Sequence, residues 1–307
     1  MAQNKQKKRS NNRKRMKRRT QKNLETAVRR DYKARVFERL YHDPVELLKL
    51  YNAANGTSYE NPDELEINTL ENAIYLSMHN DVSFIIDSRL SLYEHQSTYS
   101  PNLPLRYLMY ISDLYSKITK GANLYGKKVV PIPPPKFLIF YNGIEKRPER
   151  EEMRLSDAFM IEDPDPSLEL KAIMLNINPG YNEVLKAACK TLKDYVEYTS
   201  RIRLYAKEMP IEEAVERAIT ECIKEGILAD FLTKSRAEAK KMSIYEYDEE
   251  RQRRFDREEG REEGREEGEA RLAALMEILL ENGDKKEALR VISDRSYREE
   301  LYVKYSI

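Results

Sequence analysis

In the stretch NDVSFIIDSRLSLYEHQS, Asn80 to Ser97, acidic and amide side chains stand where two strands would otherwise carry packing residues. Asp87 and Ser88 read as the centre of a two-residue turn. That sets Ile86 opposite Arg89 and, counting back along both strands, Asp81 opposite Glu94. Gln96 lies two residues past Glu94 and points to the same face. A four-residue loop keeps this register, whereas an odd loop shifts it by one residue and removes the direct pairing. Like charges facing each other across a sheet repel, so the pair calls for a partner, and a divalent cation would supply one. Mg2+, or Mn2+ in its place, takes carboxylate oxygens while keeping water positions open. Such an ion polarises a phosphate and generates hydroxide for attack at phosphorus. The other reading is a carboxylate solvated or salt-bridged on an exposed sheet face.

His79 and His95 flank the same hairpin and raise a transition-metal alternative. In this register His95 points away from Glu94, which argues against a joint site and for a structural or DNA-facing role. The chain has no GxxxxGK[ST] loop, no GxGxxG after a strand, no HExxH and no GxSxG. With three histidines in all, a His-based nucleophilic triad is a poor fit.

The elements around the hairpin point to an α/β or α+β core. Val36, Phe37, Leu40, Leu47, Leu48 and Leu50 give helical spacings, and Asp43 with Pro44 forms a helix start, so helices are expected around 30–41 and 44–53. ANGTSYENPDE reads as a loop. Leu105, Leu108, Met109, Ile111 and Tyr115 share a face of a helix opened near Pro104 and followed by Gly121. Phe137 to Tyr141 and the run LELKAIMLNINPG read as buried strands. Residues 181–239 are helical by period, with a break at Pro210.

The net charge of +1 over 307 residues conceals a strong asymmetry: Met1 to Arg35 holds 15 Lys or Arg against Glu25 and Asp31. Such an arm cannot fold alone, and it binds phosphate backbones by counterion release without reading sequence. Lys7, Lys8, Arg9, Arg13, Lys14, Arg15, Lys17, Arg18 and Arg19 are the candidate nucleic-acid contacts. The alternatives are a solvated tail, or one for RNA or a membrane surface, though the arm lacks the apolar face of a membrane-binding helix. No stretch reaches the roughly 20 apolar residues of a membrane span or forms a signal-peptide core, and Cys189 and Cys222 show no metal or disulfide spacing. A cytoplasmic protein is expected.

Toward the C-terminus REEGREEGREEG repeats with period four, pairing Glu258 with Arg261 and Glu262 with Arg265 at i,i+3 if helical. Each glycine there costs about 1 kcal/mol relative to alanine, so the stretch reads as a solvated connector, helical when its neighbours are. Leu272, Leu275, Met276, Leu279 and Leu280 then form an apolar helix face that needs a partner, either the body of the protein or another copy. The expected division is a basic arm over 1–30, a main domain over 31–239, a charged linker over 240–268 and a helical segment over 269–307.

KARVFERL, NDVSFIID, YEHQS, PLRYLMYISDLY, PKFLIFYNG with LSDAF after it, and the REEG repeat, in that order from about Lys33 onward, resemble the recombination-promoting nuclease family, also called PD-(D/E)XK nuclease family transposases. The resemblance implies a restriction-endonuclease-like core with additional C-terminal helices, and Mg2+-dependent cleavage of DNA. By position it makes Asp81 and Glu94 the catalytic acids and metal ligands. Gln96 takes the place of the lysine of the broader superfamily, orienting water or a phosphate oxygen, and Arg106 and Tyr110 support the site from the following helix. Gln96 cannot carry a lysine's positive charge, and Ala34 stands where the family's opening segment has an Asp. The expected function is a metal-dependent DNA endonuclease of recombination or mobile elements. The alternatives are a catalytically silent DNA-binding relative and an interaction protein that self-associates through its helical tail.

Overall fold

A computed structural model of the chain describes residues 36–67, 82–282 and 285–305. Asp81, His79, Ala34 and the nine basic residues singled out from Lys7 to Arg19 lie outside the described residues. The chain divides into two compact units, one up to Asp248 and one from Glu249.

The first unit is built on a mixed sheet of six described strands: β1 (Glu66–Ile67), β2 (Val82–Ile86), β3 (Arg89–Gln96), β4 (Pro135–Tyr141), β5 (Arg150–Arg154) and β6 (Lys171–Asn176). Their order is β1-β2-β3-β4-β6-β5. The β3/β4 and β4/β6 pairs are parallel and the remaining pairs antiparallel. β4 is buried from Phe137 to Tyr141 on both of its faces, which is why it reads as an unbroken apolar run.

Helices cover both faces. α1 (Val36–Tyr41) and α2 (Pro44–Asn55) come first, and α2 opens as its sequence requires: the Asp43 carboxylate accepts the Val45 N–H at 2.8 Å, with Pro44 in the first turn. α2 closes on Gly56, whose φ of 65° is a left-handed cap. α3 (Leu103–Ile118) links β3 to β4. It buries Leu103, Tyr107, Tyr110, Ile111 and Leu114 against Leu90, Leu92, Phe137 and Ile139, each worth roughly 1.5–3 kcal/mol of transfer free energy when fully enclosed. The Tyr107 hydroxyl donates to the Leu138 carbonyl at 3.1 Å and that of Tyr115 to Pro133 at 2.7 Å, so polar as well as apolar contacts set the helix over the sheet.

On the opposite face Val82, Phe84, Tyr93, Leu138 and Phe140 pack with α1, α2, α5 (Lys190–Tyr205) and α6 (Ile211–Glu225). Between β6 and α5 lies the short α4 (Glu183–Ala188), and after α6 comes α7 (Ala229–Lys234). Cys189 and Cys222 are free and buried, and burial pushes the Cys222 thiol up to about 11.

α8 (Arg236–Glu281) contains the REEG repeat, so that stretch is helical. Arg265 lies 3.9 Å from Glu262 and 3.6 Å from Glu269. In the second unit Leu275 and Leu279 of α8 pack with Ala288 and Val291 of α9 (Lys285–Ser293) and with Leu301 and Tyr302 of α10 (Arg295–Tyr305). No described helix is long and apolar enough to cross a membrane.

Candidate functional site

The β2/β3 hairpin has the register read from its turn: Ile86 pairs with Arg89, and the described pairs run back to Val82 with Tyr93. Asp87 and Ser88 take φ of 46° and 58°, the two positive values that match a tight turn to the strand twist. Asp81 precedes Val82 and lies outside the described residues, so the expected Asp81–Glu94 pairing rests on the sequence.

Along β3 the faces alternate. Leu90 and Leu92 join the core beneath α3, and Glu94 and Gln96 continue that face toward the strand end. Glu94 is only 2 % exposed. An ionised carboxylate removed from water needs charge and hydrogen bonds in return, and α3 supplies them. The Arg106 Nη2 donates to Glu94 Oε1 at 2.6 Å and to the Tyr110 hydroxyl oxygen at 3.0 Å. Arg106 and Tyr110 are one turn apart, so a single helix face presents both to the strand. Burial draws the Arg106 guanidinium down, but Glu94 and Tyr110 outweigh it and hold the group above its ordinary value.

Gln96 is buried at the end of β3, paired with Tyr141, and its carbonyl accepts the Asn142 N–H at 2.9 Å. Of the residues singled out from the sequence, the structure brings Glu94, Arg106 and Tyr110 into one hydrogen-bonded group and sets Gln96 on the same sheet face.

His95 faces the other way. It is fully buried, stacked on Phe37 at 5.1 Å between ring centroids, with Nε2 3.0 Å from the Tyr195 hydroxyl and Nδ1 3.8 Å from Glu246. This is a structural setting, remote in direction from Glu94.

A second polar group, not foreseen from the sequence, forms where β5 begins. Arg147 donates to both Glu151 oxygens at 2.5 and 2.7 Å and lies 3.6 Å over the Tyr99 ring, while the Tyr99 hydroxyl reaches Glu151 at 3.4 Å. Arg147 and Glu151 sit in the charged run KRPEREEMR, which has no apolar period to mark it.

Glu94 and Gln96 offer carboxylate and amide oxygens, the donor type Mg2+ takes. One Glu94 oxygen is engaged by Arg106. Among the described residues no group of three or more His, Cys, Asp or Glu is arranged to hold a metal ion. The sequence candidate for a second acid beside Glu94, Asp81, lies outside the described residues.

No family model, curated protein or solved structure matches the chain.

Proposed function

We propose that the protein is a Mg2+- or Mn2+-dependent DNA endonuclease that hydrolyses phosphodiester bonds, acting in the cytoplasm in recombination or mobile-element biology. The observation that carries this reading is Glu94: an acid 2 % exposed on an inner strand, following Leu90 and Leu92 on the same face and tied to a helix arginine. Packing alone would be served by another leucine there, because a buried ion pair is weak evidence for stability. The hairpin register supports the reading, as does the resemblance to the recombination-promoting nuclease family and its restriction-endonuclease-like PD-(D/E)XK core. The mixed α/β sheet is compatible with that core.

In this reading Glu94 presents a carboxylate oxygen to the metal, with Asp81 as the second acid. When bound, the metal polarises the phosphate and lowers the pKa of a coordinated water. Arg106, fixed by Tyr110, holds the Glu94 carboxylate in one orientation. Gln96 orients the attacking water or a phosphate oxygen by hydrogen bonding. The basic arm adds affinity for DNA without sequence preference.

One observation favours a second reading, a catalytically silent DNA-binding relative: Arg106 already neutralises Glu94, and Gln96 brings no positive charge. Supercoiled plasmid incubated with the full chain in Mg2+ and in EDTA separates the two. Mg2+-dependent nicking supports the nuclease, and DNA binding without nicking supports the silent relative.

A further inference from the structure

We infer that the sheet carries a second phosphate-contacting surface on the face away from Glu94, formed by Arg89, Lys136, Arg150, Arg154 and Lys171, and that it takes the backbone of a nucleic acid. This goes beyond the proposed hydrolysis and stands whether or not Glu94 supports cleavage.

Strand register sets Lys136, Lys171 and Arg154 in one row, with Arg150 four residues along β5 from Arg154. Ser91 of β3 pairs with Lys136 of β4, and Lys171 of β6 pairs with Arg154 of β5. Lys136 and Lys171 each precede by two residues the paired Leu138 and Ile173, so the cations of β4, β6 and β5 form one row across the sheet. Neighbouring strands are about 4.8 Å apart. Arg89 and Arg150 share the face by alternation, and all five residues are exposed.

The acids present offset only part of this charge. Glu152 takes Arg154 at 2.8 Å and Lys171 at 3.6 Å, and Asp87, two residues from Arg89, accepts the Tyr59 hydroxyl. Lys136 donates to the neutral amide oxygen of Asn55. Burial draws the Lys136 ammonium below its ordinary value, with smaller contributions from Arg150 and Arg89.

Like charges side by side on a sheet are unfavourable. A charged edge strand guards against aggregation, which accounts for β5. It does not account for Lys136, because β4 lies inside the sheet between β3 and β6. A polyanion relieves the repulsion along the whole row. A nucleic acid fits better than a lipid surface, since the large apolar side chains of β3, β4, β5 and β6 themselves are not exposed and the exposed Ile132 and Leu168 lie in the separate segments before β4 and β6 and form no continuous apolar face.

The test is fluorescence anisotropy of the full chain with a labelled DNA duplex over a salt series, for wild type and the triple variant Lys136→Gln/Arg150→Gln/Lys171→Gln. The exposed lysines Lys117, Lys207 and Lys224, each changed to Gln, give the control. Circular dichroism confirms that the variants fold. If each of the three cations meets a phosphate, the slope of log K against log salt becomes shallower by about 2.7 in the triple variant, while the control stays closer to wild type. Affinity at 0.15 M salt then falls on the order of tenfold or more. Affinity and slope equal to the control's would overturn the proposal, as would failure of the full chain to bind DNA. Unchanged DNA affinity with loss of binding to phosphatidylserine vesicles would overturn it in favour of a membrane surface.

Discussion

Arg106 of α3 reaches across to β3 and donates to Glu94 Oε1 at 2.6 Å, so a helix cation keeps an almost fully buried strand carboxylate in place. Removing that cation strands the charge. Arg106→Leu is expected to destabilise the first unit by about 3 kcal/mol, the low end for breaking a buried pair, because Arg106 itself keeps access to water. Urea denaturation reads this directly. Glu94→Leu/Arg106→Leu together should recover much of the loss, since the pair costs desolvation that an apolar replacement avoids. A double variant as unstable as the single one would show that the pair is not the cause.

The hairpin turn controls which face Glu94 occupies. One glycine inserted between Asp87 and Ser88 shifts the register by one residue, which turns a strand's side chains to the wrong face. The expected outcome is loss of cooperative unfolding. Ser88→Gly instead relieves a φ of 58° and should stabilise the protein by about 1 kcal/mol.

Gly260, Gly264 and Gly268 lie in α8, and a Cβ at each would meet nothing within 4 Å. Replacing each by alanine should therefore raise helix stability by up to about 1 kcal/mol per site, visible as greater ellipticity at 222 nm during a thermal melt. A lower melting point would mean that the glycines serve close approach by another chain.

Glu169 anchors the turn after β5. Its Oε1 accepts the N–H groups of Leu155, Ser156 and Leu170, and Oε2 accepts the Ser156 hydroxyl at 2.6 Å. The Ser156 hydroxyl, with these backbone N–H groups, holds its carboxyl below the usual glutamate range despite an opposing contribution from burial. The folded value lies below the unfolded one, so the stability it contributes is complete above the unfolded pKa of about 4.3 and is lost as pH falls through the folded value. Glu169→Gln should weaken the fold at pH 7 and flatten the decline in stability below about pH 5. An unchanged acid limb would show that Glu169 does not contribute to the acid sensitivity of the fold.

Much of the frame around Glu94 was legible because local chemistry marks it. Two adjacent turn residues at Asp87 and Ser88 set the register, Asp43 with Pro44 started α2, and Pro104 and Gly121 bracketed α3. β5 was not legible, since REEMR buries only Met153 and its pairing to β6 comes from tertiary context. β1, two residues long, leaves too little pattern to detect. Arg106 and Tyr110 were singled out through family resemblance and their one-turn spacing. That spacing says nothing of what the helix face meets, and the Arg106–Glu94 contact became visible only once α3 was seated on Leu90 and Leu92. The cation row across β4, β6 and β5 was hidden for the same reason, its members being far apart in the chain until the strands pair.

The most direct measurement compares wild type with Glu94→Gln on supercoiled plasmid, with Mg2+ or EDTA, after both are shown to fold and to bind the plasmid equally. Nicking by wild type should require Mg2+ and fall by about 100-fold or more in Glu94→Gln. Equal cleavage by the two proteins, or none by a folded wild type at any Mg2+ or Mn2+ concentration, would contradict the nuclease reading.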